Sequence, residues 1–438
     1  MKRTASLFGF LLLLATSTVN AAVSDEDFQE VKELLQRALA RISDLEASNA
    51  RTNSAMAGLA ESNVTTAAAV AMLADSNVQT TEVVAQIEAD KQAASWPERI
   101  SWSGDFRYRY QNEDRDIDAE DRNQQRVRAR PAMTAMVTES IDVGFGIATG
   151  GDDPVSANQT LGNGASSKRI NLDLAYFDWE AIYNLNIRGG KFKNTLESPG
   201  NSRLQWDIDW RPEGMDVAYK GETFFGQFLG TWLESDSELS QEYAWIAQAG
   251  AKFELGPAKL KAGLGYSDIG AAGHECFFEP AANGSCFGND IDPSTDTYLF
   301  DFDVYNVFAE LGFDVGEFPV MAWVDYIKND AAPIDDQGYQ FGFQLGKTQT
   351  RGSWQVKYYY QDIEANATLG LLANSDFGGG GTNGKGSFVQ AGYATTDRTD
   401  IKLTYYTVET NQNMNPDQNG GAKFDWDTLF VDFNFKYK

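Results

Sequence analysis

Five arginines recur at every second position in two neighbouring segments of the chain. They are Arg107 and Arg109 in ISWSGDFRYRYQ, and Arg126, Arg128 and Arg130 in RVRARPAM. A β-strand would place each set on one face, whereas a helix would scatter it around the circumference. Guanidinium groups fixed in such a row, which we call the arginine row, can attract anions and orient polar solutes if water reaches them. In a dry core or against lipid they would be costly, so this face requires water and the opposite face apolar surroundings.

The composition excludes several classes of function. With 63 acidic and 36 basic residues the chain has a formal net charge of −27, which argues against a nucleic acid partner. The single histidine, His274, disfavours Ser/His and Cys/His catalysis, so we expect no enzymatic activity and no cofactor. The segment FGGGGTNGKG, residues 377–386, lacks phosphate-binding spacing and is interpreted as a flexible exterior loop. Asp114, Asp116 and Asp118 favour a solvated acidic loop over a divalent cation site.

The N-terminus has the pattern of an export signal. Lys2 and Arg3 precede an apolar stretch from Leu7 to Ala15, and the small residue Ala21 suits cleavage. This stretch is too short for a membrane-spanning helix, which needs roughly 18 or more apolar residues. We therefore predict a signal peptide over residues 1–21 and an exported protein.

Residues 22–95 follow a heptad pattern. Position a holds Phe28, Leu35, Ile42, Asn49, Met56, Asn63, Val70, Asn77 and Val84, and position d holds Val31, Ala38, Leu45, Thr52, Leu59, Thr66, Leu73, Thr80 and Ile87. This frame predicts a periplasmic, oligomerising coiled coil. Asn49, Asn63 and Asn77 recur every 14 residues, and buried Asn at position a fixes register and oligomer state. We favour three chains; the alternative is a single amphipathic helix lying on the rest of the protein or on a membrane surface.

From about residue 96 the pattern changes to period two, with about sixteen strand-like segments. They begin near residues 99, 122, 141, 168, 184, 214, 224, 242, 258, 297, 319, 337, 352, 386, 399 and 425. Long polar connections alternate with short turns, and this alternation with an even strand count is typical of a transmembrane β-barrel. We predict an all-β, 16-stranded antiparallel barrel over residues 96–438. Such barrels keep a low mean hydropathy, here −0.40, because only alternate residues face lipid.

Three stretches resemble the bacterial outer-membrane family called Putative porin. They are RGGKFKNTLESPGNSRLQWDIDWRPEGMDVAYKG (188–221), GYQFGFQLGKTQTRGSWQVKYYYQDIEANA (338–367) and NSDFGGGGTNGKG (374–386). The resemblance covers most of the barrel and implies a trimeric, passive channel for small hydrophilic solutes. It also implies that the third long loop, residues 195–213, folds into the pore. One departure is Lys438, which stands last where outer-membrane strands commonly end on an aromatic residue.

In this interpretation the arginine row and Arg188 line the pore. The acids of the third loop expected opposite the row are Glu197, Asp207 and Asp209. Together they would create a transverse field at the narrowest point. Two alternatives remain: an interior salt-bridge network without a transport role, and a third loop that is solvated on the exterior. Pro131 removes a ladder hydrogen bond, which predicts a bulge or an edge beside the row.

Cys276 and Cys286 are the only cysteines and lie in one long loop. In an exported chain this favours a local disulfide. A metal site with His274 is less favoured, because two thiols and one imidazole lack a fourth ligand.

The expected partners are outer-membrane lipid, lipopolysaccharide, two further copies of the chain and small hydrophilic solutes, with peptidoglycan a further candidate. A second hypothesis is structural: the coiled coil tethers the outer membrane to the cell wall, and the barrel is only an anchor. The sequence leaves ion selectivity open, because the arginine row favours anions and the acidic loops favour cations.

Overall fold

The computed structural model describes residues 25–93, 96–116, 121–235, 241–278, 286–410 and 423–437. The predicted signal peptide, residues 1–21, lies outside them. The chain divides into a helical unit before residue 95 and a barrel unit from residue 95 onward.

The helical unit is one long helix, α1 (Asp25–Ala93), of 69 residues. Its polar layers are satisfied locally, since Thr52, Thr66 and Thr80 each donate to the carbonyl oxygen four residues earlier, at 2.8–3.0 Å. Apolar residues of the heptad seam such as Ile42 and Leu59 are more than half exposed. The prediction of a long N-terminal helix is confirmed, and its association with other chains stays a prediction. Among the described residues, no helix combines the length and apolar character needed to cross a membrane.

Apart from three two-residue strands, the described residues of the second unit form sixteen antiparallel strands, preceded by a 3-10 turn (Trp96–Arg99). They are β1 (Ile100–Arg115), β2 (Arg122–Met136), β3 (Ile141–Thr149), β4 (Ile170–Ile182), β5 (Leu185–Lys191), β6 (Glu213–Lys220), β7 (Phe224–Glu234), β8 (Glu242–Leu255), β9 (Ala258–Ile269), β10 (Phe302–Val315), β11 (Phe318–Asn329), β12 (Gln337–Gly346), β13 (Trp354–Ile363), β14 (Gly384–Thr396), β15 (Thr399–Thr410) and β16 (Phe424–Tyr437). Each strand pairs with its neighbours in sequence, and β1 pairs with β16 from Gly104↔Tyr437 to Arg115↔Trp426. The predicted 16-stranded barrel is confirmed, and it is closed.

One predicted strand boundary is displaced. The strand expected near residue 297 begins at Phe302. Thr297–Tyr298 instead pairs with Ile291–Asp292 in a separate short hairpin. Leu299, Phe300 and Asp301 belong to neither pairing, so the two segments form different sheets.

Alternation along the strands separates an apolar outer face from a polar inner face. On β1, Phe106 and Tyr108 point outward and lie 5.9 and 6.4 Å, between ring centroids, from Phe435 and Phe433 of β16. Arg107 between them and Arg109 after them belong to the arginine row and are buried. Aromatic side chains outside and charges inside match a barrel surrounded by lipid.

Three long loops pack together in the barrel unit. We call residues 192–212 loop A, residues 364–383 loop B and the described residues 270–278 and 286–301 loop C. Their buried apolar residues form one cluster, which includes Phe192, Leu204 and Trp206 of loop A, Leu369, Leu371 and Leu372 of loop B, and Ile291 and Tyr298 of loop C. The loops therefore contribute a core that the strands alone do not provide.

Pro131 lies where one strand ladder ends. β2 pairs with β3 only from Ala132 to Met136, so the missing N–H of Pro131 removes no bond to β3. Further along β2, the amide of Ala129 donates to the Thr149 hydroxyl at 2.9 Å. The short strand Gln159–Thr160 then pairs with β2 at Val127 and Arg126.

Candidate pore constriction

The arginine row lies on the inner face of β1 and β2. The strand register sets Arg107 opposite Arg128 and Arg109 opposite Arg126. Arg107, Arg109 and Arg128 are buried, and at most 9% of the surface of each residue is exposed. Positive charges this close repel one another, so the arrangement needs carboxylates among them.

Loop A supplies a carboxylate to one end of the row. Asp209 contacts Arg130 at 2.5 Å and Arg128 at 3.0 Å. Asp105, on β1, contacts the other side of Arg130 at 2.6 Å and Arg128 at 3.3 Å. Two acids and two arginines thus form a compact network of ion pairs. Loop A contributes one of the acids, and the barrel wall contributes the other acid and both arginines.

Loop B supplies a carboxylate to Arg109. Asp376 of loop B lies 3.0 Å from Arg109, and Asp432 of β16 lies 2.7 Å from it on the other side. The Arg109 guanidinium also stacks 3.7 Å from the ring centroid of Phe430. Asp376 makes a second ion pair, at 3.1 Å, with Arg203 of loop A. Asp376 therefore connects both inward loops to the arginine row.

Arg107 and Arg126 lack such close acids. Arg107 donates to the Asn158 side chain at 2.5 Å, and its nearest carboxylate, Asp432, is 4.0 Å away. Arg126 donates to the Gln111 side-chain oxygen at 3.2 Å. The Nε atoms of both arginines are buried without a hydrogen-bond partner. Within the described residues, these two members carry the least compensated charge of the row.

Loop A leaves the wall after β5 and runs along the inside of several strands. Glu197 accepts from Lys261 of β9 at 3.1 Å, and its amide donates to Gln248 of β8 at 2.7 Å. Near its end, Arg211 pairs with Asp173 of β4 at 3.1 Å. These contacts anchor both arms of the loop to the inner wall.

The tip of loop A reaches strands on another part of the wall. The Gly200 amide donates to Glu310 of β10 at 2.7 Å, and Lys357 of β13 donates to the Gly200 carbonyl at 2.6 Å. Gly200 has a φ of +58°, and a side chain there would collide with the ring of Trp323 on β11. Only glycine suits this position without strain. Loop A thus crosses the interior between β5 and strands β10–β13.

The three acids expected to face the arginine row occupy different surroundings. Asp209 contacts the row, as described above. Asp207 accepts from the Ser375 amide of loop B at 3.0 Å and lies 3.8 Å from Arg203. Glu197 pairs with Lys261, away from the row. Of the three, only Asp209 makes an ion pair with a member of the row.

Two neighbouring acids of loop A differ in their titration. Burial raises the pKa of Asp207 to about 6, while the charge of Arg203 opposes the rise and the charge of Asp209 adds to it. Burial would also raise the pKa of Asp209, but Arg128 and Arg130 outweigh it and hold that pKa below its usual range. Asp209 therefore stays ionised at ordinary pH, whereas Asp207 titrates near pH 6.

Arg188, the remaining pore-lining residue expected from the sequence, lies at the root of loop A. It pairs with Asp216 of β6 at 2.6 Å and donates to Thr195 at 2.8 Å. Its guanidinium lies 5.7 Å from the ring centroid of Phe192. Its charge is compensated locally, and it contacts no member of the arginine row.

Residues 377–386, which end loop B and begin β14, were expected to be a flexible exterior loop, but Phe377, Gly378, Gly380, Gly381 and Thr382 are buried. Residues 365–374 are all buried. Gly378, Gly379, Gly380 and Gly381 all have positive φ values between 56° and 102°, a region that residues with side chains rarely adopt. A side chain at Gly379 would meet the ring of Trp426 on β16. The glycines therefore permit a tight inward turn against the wall, where flexibility had been predicted.

Loop C supports loop B from the other side. The Asn289 side chain donates to the carbonyl oxygens of Ala365 and Thr368, at 2.6 and 2.8 Å, and accepts from the Gly370 amide at 2.8 Å. Cys276 and Cys286, also in loop C, are joined by a disulfide. Within the described part of the chain, no cluster of His, Cys, Asp or Glu side chains could hold a metal ion.

Cavities lie on both sides of these ion pairs. One of about 710 Å³ lies between loop A and strands β9–β12. A second, of about 350 Å³, is lined by Asp105 and Arg130, and a third, of about 270 Å³, by Arg126. Because Arg128 lies between Arg126 and Arg130 on β2, its ion pair with Asp209 stands between the second and third cavities.

Several charged residues of this region were not singled out from the sequence. They are Asp105, Asp376, Asp432 and Lys357. Asp105 shares the parity of Arg107 on β1, so the period-two pattern contained the signal for it. Asp376 carried no such signal, because it lies in a glycine-rich loop.

Comparison with solved structures relates the barrel to outer-membrane porins. Pseudomonas putida OprB is similar over 77% of this chain and 94% of its own, with 11% identity and a TM-score of 0.53. Salmonella typhi OmpF covers 77% of this chain and 97% of its own, with 11% identity and a TM-score of 0.46. At these identities, the similarity to OprB supports the fold alone. No curated protein sequence matches the chain.

The fold and the sequence together define the class as an outer-membrane porin channel. The sequence signature of the family described as Putative porin matches residues 115–269 and 300–437, more than half of the chain. The chain belongs to this family. Its fold and family are those of channels rather than enzymes.

Proposed function

We propose that this porin is a passive diffusion channel for small hydrophilic solutes and ions, narrowed by loop A opposite the arginine row. One observation carries the proposal: Asp209 of loop A contacts Arg128 and Arg130, while Gly200 of the same loop contacts Glu310 and Lys357. A loop that crosses the interior reduces its open cross-section. Acids beside arginines at that level would impose a transverse field on passing solutes.

Planar lipid bilayers test this proposal directly. The purified full-length protein should insert in discrete steps of constant conductance, and a KCl gradient should give its ion selectivity from the reversal potential. Absence of any conductance from correctly folded protein would contradict the channel.

For the assembly, we propose a trimer joined through α1. The support is the exposed heptad seam with Asn49, Asn63 and Asn77 at position a, because an apolar stripe of this kind is stable only against other helices. Analytical ultracentrifugation in detergent should show three chains for the full-length protein. A chain lacking residues 25–93 tests the helix's share: if the shortened chain is still a trimer, the barrel walls hold the trimer together, and if both chains are monomers, the trimer is contradicted.

A second candidate function is a tether between the outer membrane and the cell wall. The length of α1 favours it, since 69 residues at about 1.5 Å each extend about 100 Å. Under this hypothesis the barrel contacts lipid and lipopolysaccharide only as an anchor. Co-sedimentation with peptidoglycan, lost on removal of residues 25–93 and combined with no measurable conductance, would favour the tether over the channel.

A further inference from the structure

The 270 Å³ cavity is lined in part by side chains that each have one buried polar atom without a hydrogen-bond partner in the described protein. It lies between β1, β2, β16 and loop B, and its lining includes Arg126, Gln111, Glu113 and Trp426. Buried polar groups in native proteins are nearly always hydrogen-bonded. Unpartnered atoms from three different side chains of one cavity therefore suggest an occupant.

Arg126 provides the positive end of this cavity. Arg128 and Arg130 share Asp105 and Asp209, and the neighbouring Asp376 is already paired with Arg109 and Arg203. Arg126 has only the hydrogen bond to Gln111, and its Nε atom has no partner. Its guanidinium group can therefore bind an added carboxylate without displacing an existing ion pair.

Glu113 provides the negative end. It is 6% exposed, and one carboxylate oxygen accepts from the side-chain nitrogen of Gln111. Its other oxygen, Oε2, is buried without a hydrogen-bond donor, and the Arg122 guanidinium is 3.8 Å from it. That oxygen can accept from an ammonium group.

Gln111 connects the two ends, because its amide accepts from Arg126 and donates to Glu113. This part of the cavity wall therefore presents a positive group, a neutral amide and a negative group in sequence, and Arg122, Asp153 and Asp376 also line the cavity. Trp426 adds a buried indole N–H without an acceptor. A solute with charge of one sign would satisfy only one end of this row.

We propose that this cavity is a binding subsite for a small zwitterion, whose carboxylate binds Arg126 and whose ammonium group binds Glu113. The two charges of the solute should be separated by several bonds, as in a short ω-amino acid, to span the Gln111 amide. One water molecule occupies about 30 Å³ in the liquid, so a cavity of about 270 Å³ has the volume of several water molecules. A short ω-amino acid fits into that volume. The subsite depends on the proposed channel only for the route by which the solute arrives.

Binding is measured first on the full-length protein in detergent, by isothermal titration calorimetry with three probes of equal length. These are γ-aminobutyrate, butyrate, which lacks the ammonium group, and butylammonium, which lacks the carboxylate. The zwitterion should bind at least about tenfold more tightly than either single-charge probe. Equal affinities for the three probes, or no binding of γ-aminobutyrate, would overturn the proposal.

Two variants assign the ends of the site. Glu113→Gln should reduce the affinity for γ-aminobutyrate to that for butyrate, and Arg126→Gln should reduce it to that for butylammonium. Arg126→Lys keeps the charge and should retain part of the affinity, so the test survives if Arg126→Gln fails to fold. Lys347→Gln, a charge change at the exposed lining of the 710 Å³ cavity, is the control and should leave all three affinities unchanged. Unchanged affinity in Glu113→Gln would refute the assignment.

Conductance then separates this inference from the channel itself. In planar bilayers γ-aminobutyrate should cause brief blockades that disappear in Glu113→Gln. Zwitterion binding without any conductance would refute the channel and leave the subsite standing. Conductance without preferential zwitterion binding would refute the subsite alone.

Discussion

Loops A and B enter the same barrel but are held there by different forces. Loop A carries six charged residues, Lys193, Glu197, Arg203, Asp207, Asp209 and Arg211, and docks through ion pairs with the walls. Loop B carries only Glu364 and Asp376, and docks through buried apolar residues and backbone hydrogen bonds to Asn289. Loop A thus places charge along the interior, whereas loop B mainly occupies space and positions one acid.

The two loops also hold each other. The Asp207 amide donates to the Leu372 carbonyl at 2.7 Å, Ser375 donates to the Asp207 carboxylate, and Arg203 pairs with Asp376. Hydrogen bonds of this kind in a water-poor interior restrict both backbones. The contrast therefore predicts that charge changes in loop A alter both pore size and selectivity, while those in loop B alter mainly selectivity.

The largest effect is expected from shortening loop A. Deleting Ser198–Trp206 removes the contacts of Gly200 with Glu310 and Lys357, so single-channel conductance should rise about twofold or more and larger neutral solutes should pass. The measurements are conductance in planar bilayers and swelling of liposomes in sugars of graded size.

The matched control is deletion of 162–166, an exposed loop tip between β3 and β4. It should leave the conductance unchanged. If the loop A deletion and this control behave alike, loop A does not limit the pore.

The sequence predicted the barrel far better than its contents. Period-two alternation and the rhythm of long and short connections are local properties, so the strands and the inward face of the arginine row follow from residues close in sequence. The positions of the loops depend on contacts between distant residues: Arg203 and Asp376 are 173 residues apart, and Asp207 and Ser375 are 168 apart. The inward position expected for loop A came from the resemblance to the porin family, while its own residues left an exterior loop open. Loop B contained glycines, whose positive φ values are equally compatible with an exposed turn.

A second test changes the partners of loop A on the wall. The double variant Arg128→Gln and Arg130→Gln leaves the carboxylates of Asp105 and Asp209 uncompensated, so selectivity should shift towards cations. One unit charge about 6 Å from an ion is worth about 0.7 kcal/mol in water, so the loss of two should raise cation permeability about tenfold and lower anion permeability by a similar factor. Reversal potentials in a KCl gradient measure this shift. The control is Arg169→Gln, which removes an exposed cation outside the row and should give the wild-type reversal potential. A shift of the same size in this control would show that the arginine row does not determine the selectivity.

A third test addresses the single acid of loop B that reaches the row. Asp376→Asn preserves the side-chain shape but leaves Arg109 and Arg203 with less compensation, so selectivity should shift towards anions. The loss of one charge should change the permeability of each ion about threefold, upward for anions and downward for cations. Conductance should change little, because the apolar contacts that hold loop B remain. Glu317→Gln in an exposed short turn serves as the control, and a large rise in conductance in Asp376→Asn would show that this acid, rather than burial, holds loop B.

The smallest expected effect is a change of ion selectivity with pH, to which Asp207 of loop A should contribute and its neighbour Asp209 should not. The pKa of Asp207 is raised by burial, against the charge of Arg203, from the ordinary 3.8 to about 6, so this acid is ionised at pH 7.5 and largely neutral at pH 5. The pKa of Asp209 is lowered by its arginines, against the effect of burial, and its charge stays constant over this interval. Acidification through pH 6 therefore removes one negative charge beside Arg203, and the permeability ratio should shift towards anions by about twofold.

Reversal potentials measured in steps from pH 7.5 to pH 5 test this sign. Wild-type protein should show a transition near pH 6, and Asp207→Asn should lose the part of it that Asp207 contributes, because its side chain cannot ionise. Asp209→Asn should shift selectivity towards anions at all pH values. It should also move the transition to lower pH, because the negative neighbour that helps to keep the Asp207 pKa high is gone. A transition that persists unchanged in Asp207→Asn would assign the titration to another group and leave the two acids of loop A equivalent.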